Sequence, residues 1–251
     1  MFTPAEVAKN YIGIGVGKAN QKLDKMLLLS ILAGAFIALA GAAATFGNIY
    51  VNKVVGAAIF PAGLAMVLIA GSELFTGNCL LIIPLLEHEI GCAKMLRNWL
   101  VVYLGNLMGG LLITAMAVWG GTFDGVYEAV IATATAKVAL PFVSALLRGI
   151  LCNLLVCLGV WMAFAAKTVG GKIAGLFFPV FVFVLCGFEH SVANMFYIPA
   201  GLWEAMRFDV MSPELTVGGM VKNLIPVTLG NIIGGAGLGA FYWKIYLKRQ
   251  V

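Results

Sequence analysis

Charged residues are scarce in this sequence: only 11% of its 251 residues are Asp, Glu, Lys or Arg, whereas 62% are hydrophobic. Soluble domains carry about 25% charged residues, so a water-exposed surface of ordinary composition is excluded and most of the chain must face lipid. Histidine is nearly absent, with 2 copies, and the 5 cysteines form no CxxC pair. An odd number of cysteines, mostly in apolar runs, predicts neither a disulfide framework nor a metal site. No cofactor is predicted.

Long apolar runs, in contrast, are abundant. A membrane-spanning helix needs ~20 apolar residues. Six apolar stretches meet this length, at 26–50, 55–86, 98–121, 141–166, 172–200 and 221–246. The second and fifth stretches carry polar residues in their middle, at 71–78 and 187–194, where a lipid-facing helix has none. We therefore predict an all-α membrane protein with six transmembrane helices, of which the second and fifth are broken.

Basic residues are distributed unevenly between the two sides of the predicted spans. If the N-terminus is inside, eleven of sixteen lie inside, four lie outside and Arg148 lies within a span. Basic loops stay on the cytoplasmic side, so we predict a multi-pass protein of the cytoplasmic (inner) membrane with both termini cytoplasmic. This placement explains the net charge of +5 without a nucleic-acid partner. The inner residues are Lys9, Lys18, Lys22, Lys25, Lys94, Arg97, Lys167, Lys172, Lys244, Lys248 and Arg249.

Landmarks recur between the two halves of the chain. The matched sets are Gly34 with Gly149, Gly71-x-Glu73 with Gly187-x-Glu189, and Gly105-Asn106-x-x-Gly109-Gly110 with Gly230-Asn231-x-x-Gly234-Gly235. Three spans per half give the halves opposite orientations, so we predict an inverted 3+3 repeat. In this division 26–121 is the first half-repeat, 141–247 the second, and 1–25 a cytoplasmic N-terminal segment that forms a short surface helix. All belong to a single transmembrane channel domain, 1–251.

One segment resembles a known family signature. The string Phe188-Glu189-His190-Ser191-Val192-Ala193-Asn194-Met195-Phe196 resembles that of the formate/nitrite transporter family. The segments Phe75-Thr76-Gly77 and Gly230-Asn231-Ile232-Ile233-Gly234-Gly235 are similar to that family as well. The resemblance covers essentially the whole chain. It implies a homopentamer of aquaporin-like protomers in lipid, each a channel or proton-linked transporter for small monovalent anions such as formate, nitrite or hydrosulfide.

His190 is the strongest candidate for a site residue. A histidine within a span needs partners, and its charge changes near neutral pH, so it can donate to an anion or move a proton. The resemblance places His190 at the pore centre beside Thr76. It places Lys137 near the outer mouth, where it raises the local anion concentration; a lysine reaching lipid headgroups is the alternative. Asn153 and Asn231 are interpreted as pore-side or helix-bridging groups.

Apolar and acidic residues complete the expected site. The resemblance implies that two apolar constrictions flank the centre, formed by Phe60, Leu64, Leu74 and Phe183. Glu73 and Glu189 would repel an anion if they faced it. We therefore expect them to have a structural role, turned away and hydrogen-bonded to backbone groups of the broken segments.

Arg148 and the class of function each have alternative interpretations. Arg148 is expected to pair with Glu73 or Glu189, with a position between protomers as the alternative. An aquaporin-type pore for small neutral solutes shares the logic of broken helices, but its paired Asn-Pro-Ala repeats do not occur here. An enzyme is not predicted, because Ser191 adjoins His190 on a helix and points elsewhere.

Overall fold

The computed structural model describes residues 1–248, and the ordered elements of that part of the chain are helices. Arg249, one of the predicted inner charges, lies outside the described residues. A 3-10 turn at Cys79–Leu81 separates α5 from α6. The α-helices are α1 Pro4–Ala19, α2 Leu23–Tyr50, α3 Lys53–Ile59, α4 Pro61–Ala70, α5 Phe75–Asn78, α6 Ile82–Leu86, α7 Cys92–Trp119, α8 Tyr127–Val138, α9 Phe142–Ala165, α10 Val169–Leu185, α11 Ser191–Arg207 and α12 Val217–Tyr246.

Five helical stretches within the described chain are long and apolar enough to cross a membrane. Four are α2, α7, α9 and α12, whose bounds lie within six residues of the predicted first, third, fourth and sixth spans. The fifth is Lys53–Ala70, formed by α3 and α4, and the shorter apolar helices are Phe75–Leu86 and Val169–Leu185. An all-helical protein with several apolar helices is therefore observed, and the arrangement as six spans remains a prediction.

Two interruptions separate α4 from α5 and α10 from α11. Each begins with a glycine in the left-handed region, Gly71 at φ 83° and Gly187 at φ 69°. The residue after each glycine donates its N–H to a carbonyl five residues earlier, Ser72 to Val67 at 2.9 Å and Phe188 to Phe183 at 3.0 Å. This is the Schellman pattern that ends helices at glycine. Each interruption therefore consists of a regular helix C-terminus followed by the start of a new helix.

Glycines set the packing of α2 on α7 and of α9 on α12. A methyl group on Gly109 would overlap the carbonyl oxygen of Ile31, and one on Gly234 would overlap that of Ile150. The backbones of each pair therefore approach as only glycine permits. The equivalence of Ile31 with Ile150 corrects the predicted match of Gly34 with Gly149. That match is wrong by one helical turn, because glycine spacing alone does not fix which turn of α2 faces α7.

The N-terminal helix α1 packs against the other helices, and it does not simply lie on a surface as predicted. Thr3 and Glu6 form a capping box with Pro4 at the first helical position, a strong start signal. The helix buries one face, including Val7, Tyr11 and Gly15. A methyl group on Gly15 would meet the ring of Pro84 at 2.7 Å. The segment therefore packs on the helical core, and its last turn carries Lys18 towards the first interruption.

Candidate functional site

Thr76 and His190 bring the two interruptions together. Thr76 lies in α5, directly after the first, and His190 is the N-cap residue of α11, directly after the second. Thr76 Oγ1 lies 2.9 Å from His190 Nε2, and both residues are buried, at 0% and 3% exposure. The predicted neighbours are therefore in direct contact.

The cap of α11 determines which nitrogen of His190 carries the proton. The backbone N–H of Ala193 donates to Nδ1 at 3.0 Å, so Nδ1 is the unprotonated acceptor. In a neutral imidazole the proton then lies on Nε2, which donates to Thr76 Oγ1. The hydroxyl proton of Thr76 remains available for a guest. A cationic His190 would set Nδ1–H against the N–H of Ala193, so this geometry favours the neutral ring.

A chain of polar groups lies on the side of the second interruption. Lys137 Nζ donates to both carboxylate oxygens of Glu189, at 3.0 and 3.2 Å. Asn194 Nδ2 donates to Glu189 at 2.6 Å and to Asn223 Oδ1 at 2.8 Å. Asn223 closes the ring by donating to the carbonyl of Lys137 at 2.7 Å. The charges of Lys137 and Glu189 therefore neutralise each other, and the side-chain amides of Asn194 and Asn223 hold the pair in place.

The same chain of groups recurs at the first interruption. Lys18 Nζ donates to Glu73 at 2.8 Å, and Asn78 Nδ2 donates to Glu73 at 2.7 Å and to Asn98 Oδ1 at 3.0 Å. Asn98 donates to the carbonyl of Lys18 at 3.2 Å. Gln21 adds a donor to Glu73 at 3.0 Å. From its place in the sequence Lys18 is only one of the predicted inner charges, and the structure gives it the position that Lys137 holds in the second half.

The environment predicted for Glu73 and Glu189 is wrong in one respect. Their carboxylates accept hydrogen bonds from lysine and asparagine side chains, not from the backbone of the interruptions. The physical reason is that other side chains already satisfy that backbone. Asn106 Oδ1 accepts from Phe75 N at 2.9 Å, and Asn231 Oδ1 accepts from Ser191 N at 2.9 Å.

Asn106 and Asn231 each bind three backbone groups, and we call them the asparagine clamps. Asn106 Nδ2 donates to the carbonyls of Ser30 and Glu73 at 2.8 and 2.9 Å. Asn231 Nδ2 donates to those of Gly149 and Glu189, both at 2.9 Å. Each clamp therefore ties one interruption to a neighbouring long helix, and both are fully buried.

Asn153 bridges the halves instead of facing open space. Its Nδ2 donates to the carbonyl of Thr76 at 3.1 Å and to that of Asn231 at 2.6 Å, and the side chain is fully buried. Of the two interpretations left open for Asn153 and Asn231, the geometry of both is the helix-bridging one. Asn153 thus connects the segment of Thr76 to the clamp that holds the segment of His190.

Apolar side chains lie on either side of the Thr76–His190 pair. Phe183 stacks on the His190 ring with centroids 5.8 Å apart, and Phe60 meets Phe183 edge-on at 5.8 Å. A cavity of about 200 Å³ is lined by both phenylalanines together with Lys137 and His190. A smaller cavity of about 20 Å³ is lined by Leu64, Leu74, Gly77, Asn78, Lys18 and Tyr11.

Arg148 does not form either predicted ion pair. The described residues contain salt bridges of Glu73 with Lys18 and of Glu189 with Lys137, and neither involves Arg148. Its side chain is exposed on α9, while its backbone carbonyl accepts from Glu189 N at 3.3 Å. The pairing prediction is wrong because the lysines of α1 and α8 already occupy the carboxylates.

Comparison with known proteins agrees with this architecture. The family model described as formate/nitrite transporter matches residues 5–244. The chain is 38% identical to the "Probable formate transporter" of Methanothermobacter thermautotrophicus, covering 98% of each chain. It is 39% identical to "Formate channel FocA" of Escherichia coli (strain K12), covering 100% of this chain and 96% of that relative.

Two solved structures share the fold. One, described as "FNT family ion channel", superposes with a TM-score of 0.84 at 32% identity over 96% of this chain and 98% of its own. Another, described as "Pentameric formate channel with formate bound", gives a TM-score of 0.77 at 33% identity over 90% and 98%. The several apolar helices are therefore those of a multi-pass membrane protein, and the chain belongs to the formate/nitrite transporter family.

Proposed function

We propose that this protein is a channel or proton-linked transporter that carries small monovalent anions across the cytoplasmic membrane, with formate as the first substrate to test. The protomer would have six spans in an inverted 3+3 repeat, with 26–121 and 141–247 as half-repeats, broken second and fifth spans and both termini cytoplasmic. Five protomers would assemble, as in the similar structure described as "Pentameric formate channel with formate bound".

The observation that carries this proposal is the hydrogen bond between Thr76 and His190. It joins the two interruptions at a buried point, with a cavity on either side. Irregular backbone at membrane depth is tolerated where it is buried in protein or lines a cavity. The two new helix starts, α5 and α11, also direct the positive ends of helix dipoles towards this point. All these features favour an anion over a cation.

Desolvation is the main barrier that such a pathway must overcome. Moving a bare ion into a medium of dielectric ~4 costs on the order of 20 kcal/mol in the idealised estimate. Phe60 and Phe183 would form the outer apolar constriction, and Leu64 and Leu74 the inner one. Between them, the hydroxyl of Thr76, whose oxygen accepts from His190 Nε2–H, replaces part of the lost hydration. The anion would therefore dehydrate over two short steps instead of one long passage.

The neutral tautomer of His190 bears on whether a proton accompanies the anion. A neutral ring that released its Nε2 proton would become an imidazolate, which is prohibitively basic. Protonating the anion therefore requires a cationic His190, and that state disrupts the cap from Ala193. We infer that the anion crosses this point mainly as a hydrogen-bonded anion.

Anion flux into proteoliposomes tests the proposal, with formate, nitrite and hydrosulfide compared. The variant is His190→Asn, because an asparagine at an N-cap still accepts the backbone N–H but no longer reaches Thr76 as the imidazole does. The matched control is His88→Asn, in the loop after α6, where asparagine tolerates the left-handed backbone at φ 60°. We expect His190→Asn to lower formate flux at least tenfold and His88→Asn to leave it unchanged.

Two outcomes would contradict the proposal. Equal formate flux in both histidine variants would remove His190 from the pathway. Movement of water or glycerol by the wild type, without any of the three anions, would favour an aquaporin-type pore instead. Comparing fluxes across a pH series separates the two anion routes, because only a proton-linked route gains from acidification of the side from which the anion enters.

A further inference from the structure

Tyr11 carries a buried hydroxyl that the site described above does not use. The side chain is 1% exposed, and its hydroxyl oxygen has no hydrogen-bond partner among the described residues. Leaving a hydroxyl buried and unpaired costs about 1–3 kcal/mol, so proteins seldom keep one without a partner that arrives from elsewhere. The ring itself is fixed, because it packs edge-on against Phe164 with centroids 5.6 Å apart.

Tyr11 borders a small cavity, where such a partner could be held. Tyr11 lines the cavity of about 20 Å³ that also borders Leu64, Leu74 and Lys18. This volume accommodates about one water-sized group. A guest passing the inner leucine pair therefore meets, in the same small space, the side chains of Tyr11 and Lys18, each of which ends in a hydrogen-bond donor.

We propose that Tyr11 is a selectivity-determining residue, whose hydroxyl donates a hydrogen bond to an oxygen of a small oxyanion at the inner constriction. This inference rests on the anion pathway proposed above and adds to it a preference for guests with strong oxygen acceptors. Burial raises the pKa of the Tyr11 hydroxyl well above its ordinary value. The group therefore stays a neutral donor, which binds an anion without holding it as tightly as a fixed charge would.

The position equivalent to Tyr11 in the second half of the chain has no hydroxyl donor. Lys18 of α1 and Lys137 of α8 hold equivalent positions, and the same numbering offset relates Tyr11 to Val130. Valine offers no hydrogen bond, and Val130 is 5% exposed within an apolar cluster. The tyrosine hydroxyl thus acts at the inner side only, so the two constrictions would discriminate between guests by different chemistry.

The test is formate uptake by proteoliposomes containing Tyr11→Phe, measured as flux against formate concentration. Phenylalanine keeps the ring that packs on Phe164 and removes only the hydroxyl. The matched control is Tyr103→Phe, since the Tyr103 hydroxyl is already bonded to Thr228 at 2.9 Å and does not line either cavity. Flux is normalised to the amount of protein that elutes as an oligomer, so that a loss of folded protein does not count.

We expect Tyr11→Phe to raise the half-saturating formate concentration about tenfold, near the lower end for a hydrogen bond to a charged group. Hydrosulfide uptake should change less than twofold, because sulfur is a weak acceptor. An unchanged half-saturating concentration in Tyr11→Phe, with wild-type formate uptake present, would overturn this inference alone. A wild type that carries no anion would instead overturn the proposed function on which it rests.

Discussion

Removing either asparagine clamp should destabilise the protein by a similar and predictable amount. Asn231→Ala deletes three hydrogen bonds, to Gly149, Glu189 and Ser191. Asn106→Ala likewise deletes three in the first half. All partners of both clamps are backbone groups, so each substitution leaves buried peptide N–H or C=O groups unpaired. The two variants therefore test whether equivalent sets of hydrogen bonds hold the two interruptions in place.

The magnitude follows from the bonds lost. Each buried peptide group left unpaired costs about 1–3 kcal/mol, so three groups correspond to at least about 3 kcal/mol for each clamp. In a chain of 251 residues, 1 kcal/mol shifts the melting temperature by roughly 2–4 °C. We therefore expect each alanine variant to melt at least about 6 °C below the wild type in detergent, and the two shifts to agree within a few degrees.

Thermal unfolding followed by size-exclusion chromatography of the detergent-solubilised protein measures both shifts. Asn48→Ala serves as the control, because Asn48 is exposed on α2 and its side chain makes no hydrogen bond to the described residues. Its melting temperature should stay within about 2 °C of the wild type, in line with ordinary surface substitutions. Clamp variants that melt no lower than Asn48→Ala would refute the reasoning, and a large shift in only one would refute the equivalence of the two interruptions.

Two further substitutions test the polar chain and the central pair. Lys137→Met leaves the carboxylate of Glu189, which is 5% exposed, without its cation. We expect the free energy of unfolding to fall by about 3 kcal/mol in thermal unfolding. Most of this stability should return in the double variant Lys137→Met/Glu189→Gln. A double variant no more stable than the single one would contradict a charge-pair origin. Thr76→Val keeps the side-chain volume but removes the acceptor for His190 Nε2–H, so formate flux should fall at least tenfold, while Thr76→Ser retains most of it; equal loss in both would indicate a packing effect.

Much of the helical framework was predictable from hydropathy. The predicted spans at 26–50, 141–166 and 221–246 agree with α2, α9 and α12 to within a few residues, because a long apolar helix has few alternatives in lipid. The polar residues at 71–78 and 187–194 also mark where the helices are interrupted. Each interruption begins with a left-handed glycine two residues before a glutamate, and this Gly-x-Glu pattern is visible in the sequence.

The polar chains were harder to find, because their members come from distant parts of the sequence. Lys18 lies 55 residues from Glu73, and a lysine before the first span is indistinguishable from an ordinary cytoplasmic charge. One signal was present: Asn98 and Asn223 each precede a clamp asparagine by eight residues. A spacing of eight residues places the two asparagines of each pair on one face of their helix. The shared spacing can be recognised only when the two halves of the chain are aligned element by element.

The paired charges explain how such a pathway could attract an anion and still release it. A lone buried lysine would bind an anion strongly, whereas Lys137 and Lys18 each already bond to a carboxylate. An ammonium has three donors, so Lys18, with one short bond to Glu73, keeps N–H groups for a guest while its net charge is cancelled. Conduction requires binding that is favourable enough for entry and weak enough for exit. Neutralising Glu73 or Glu189 alone should therefore tighten anion binding and slow release, the opposite of what simple removal of a repulsive charge would give.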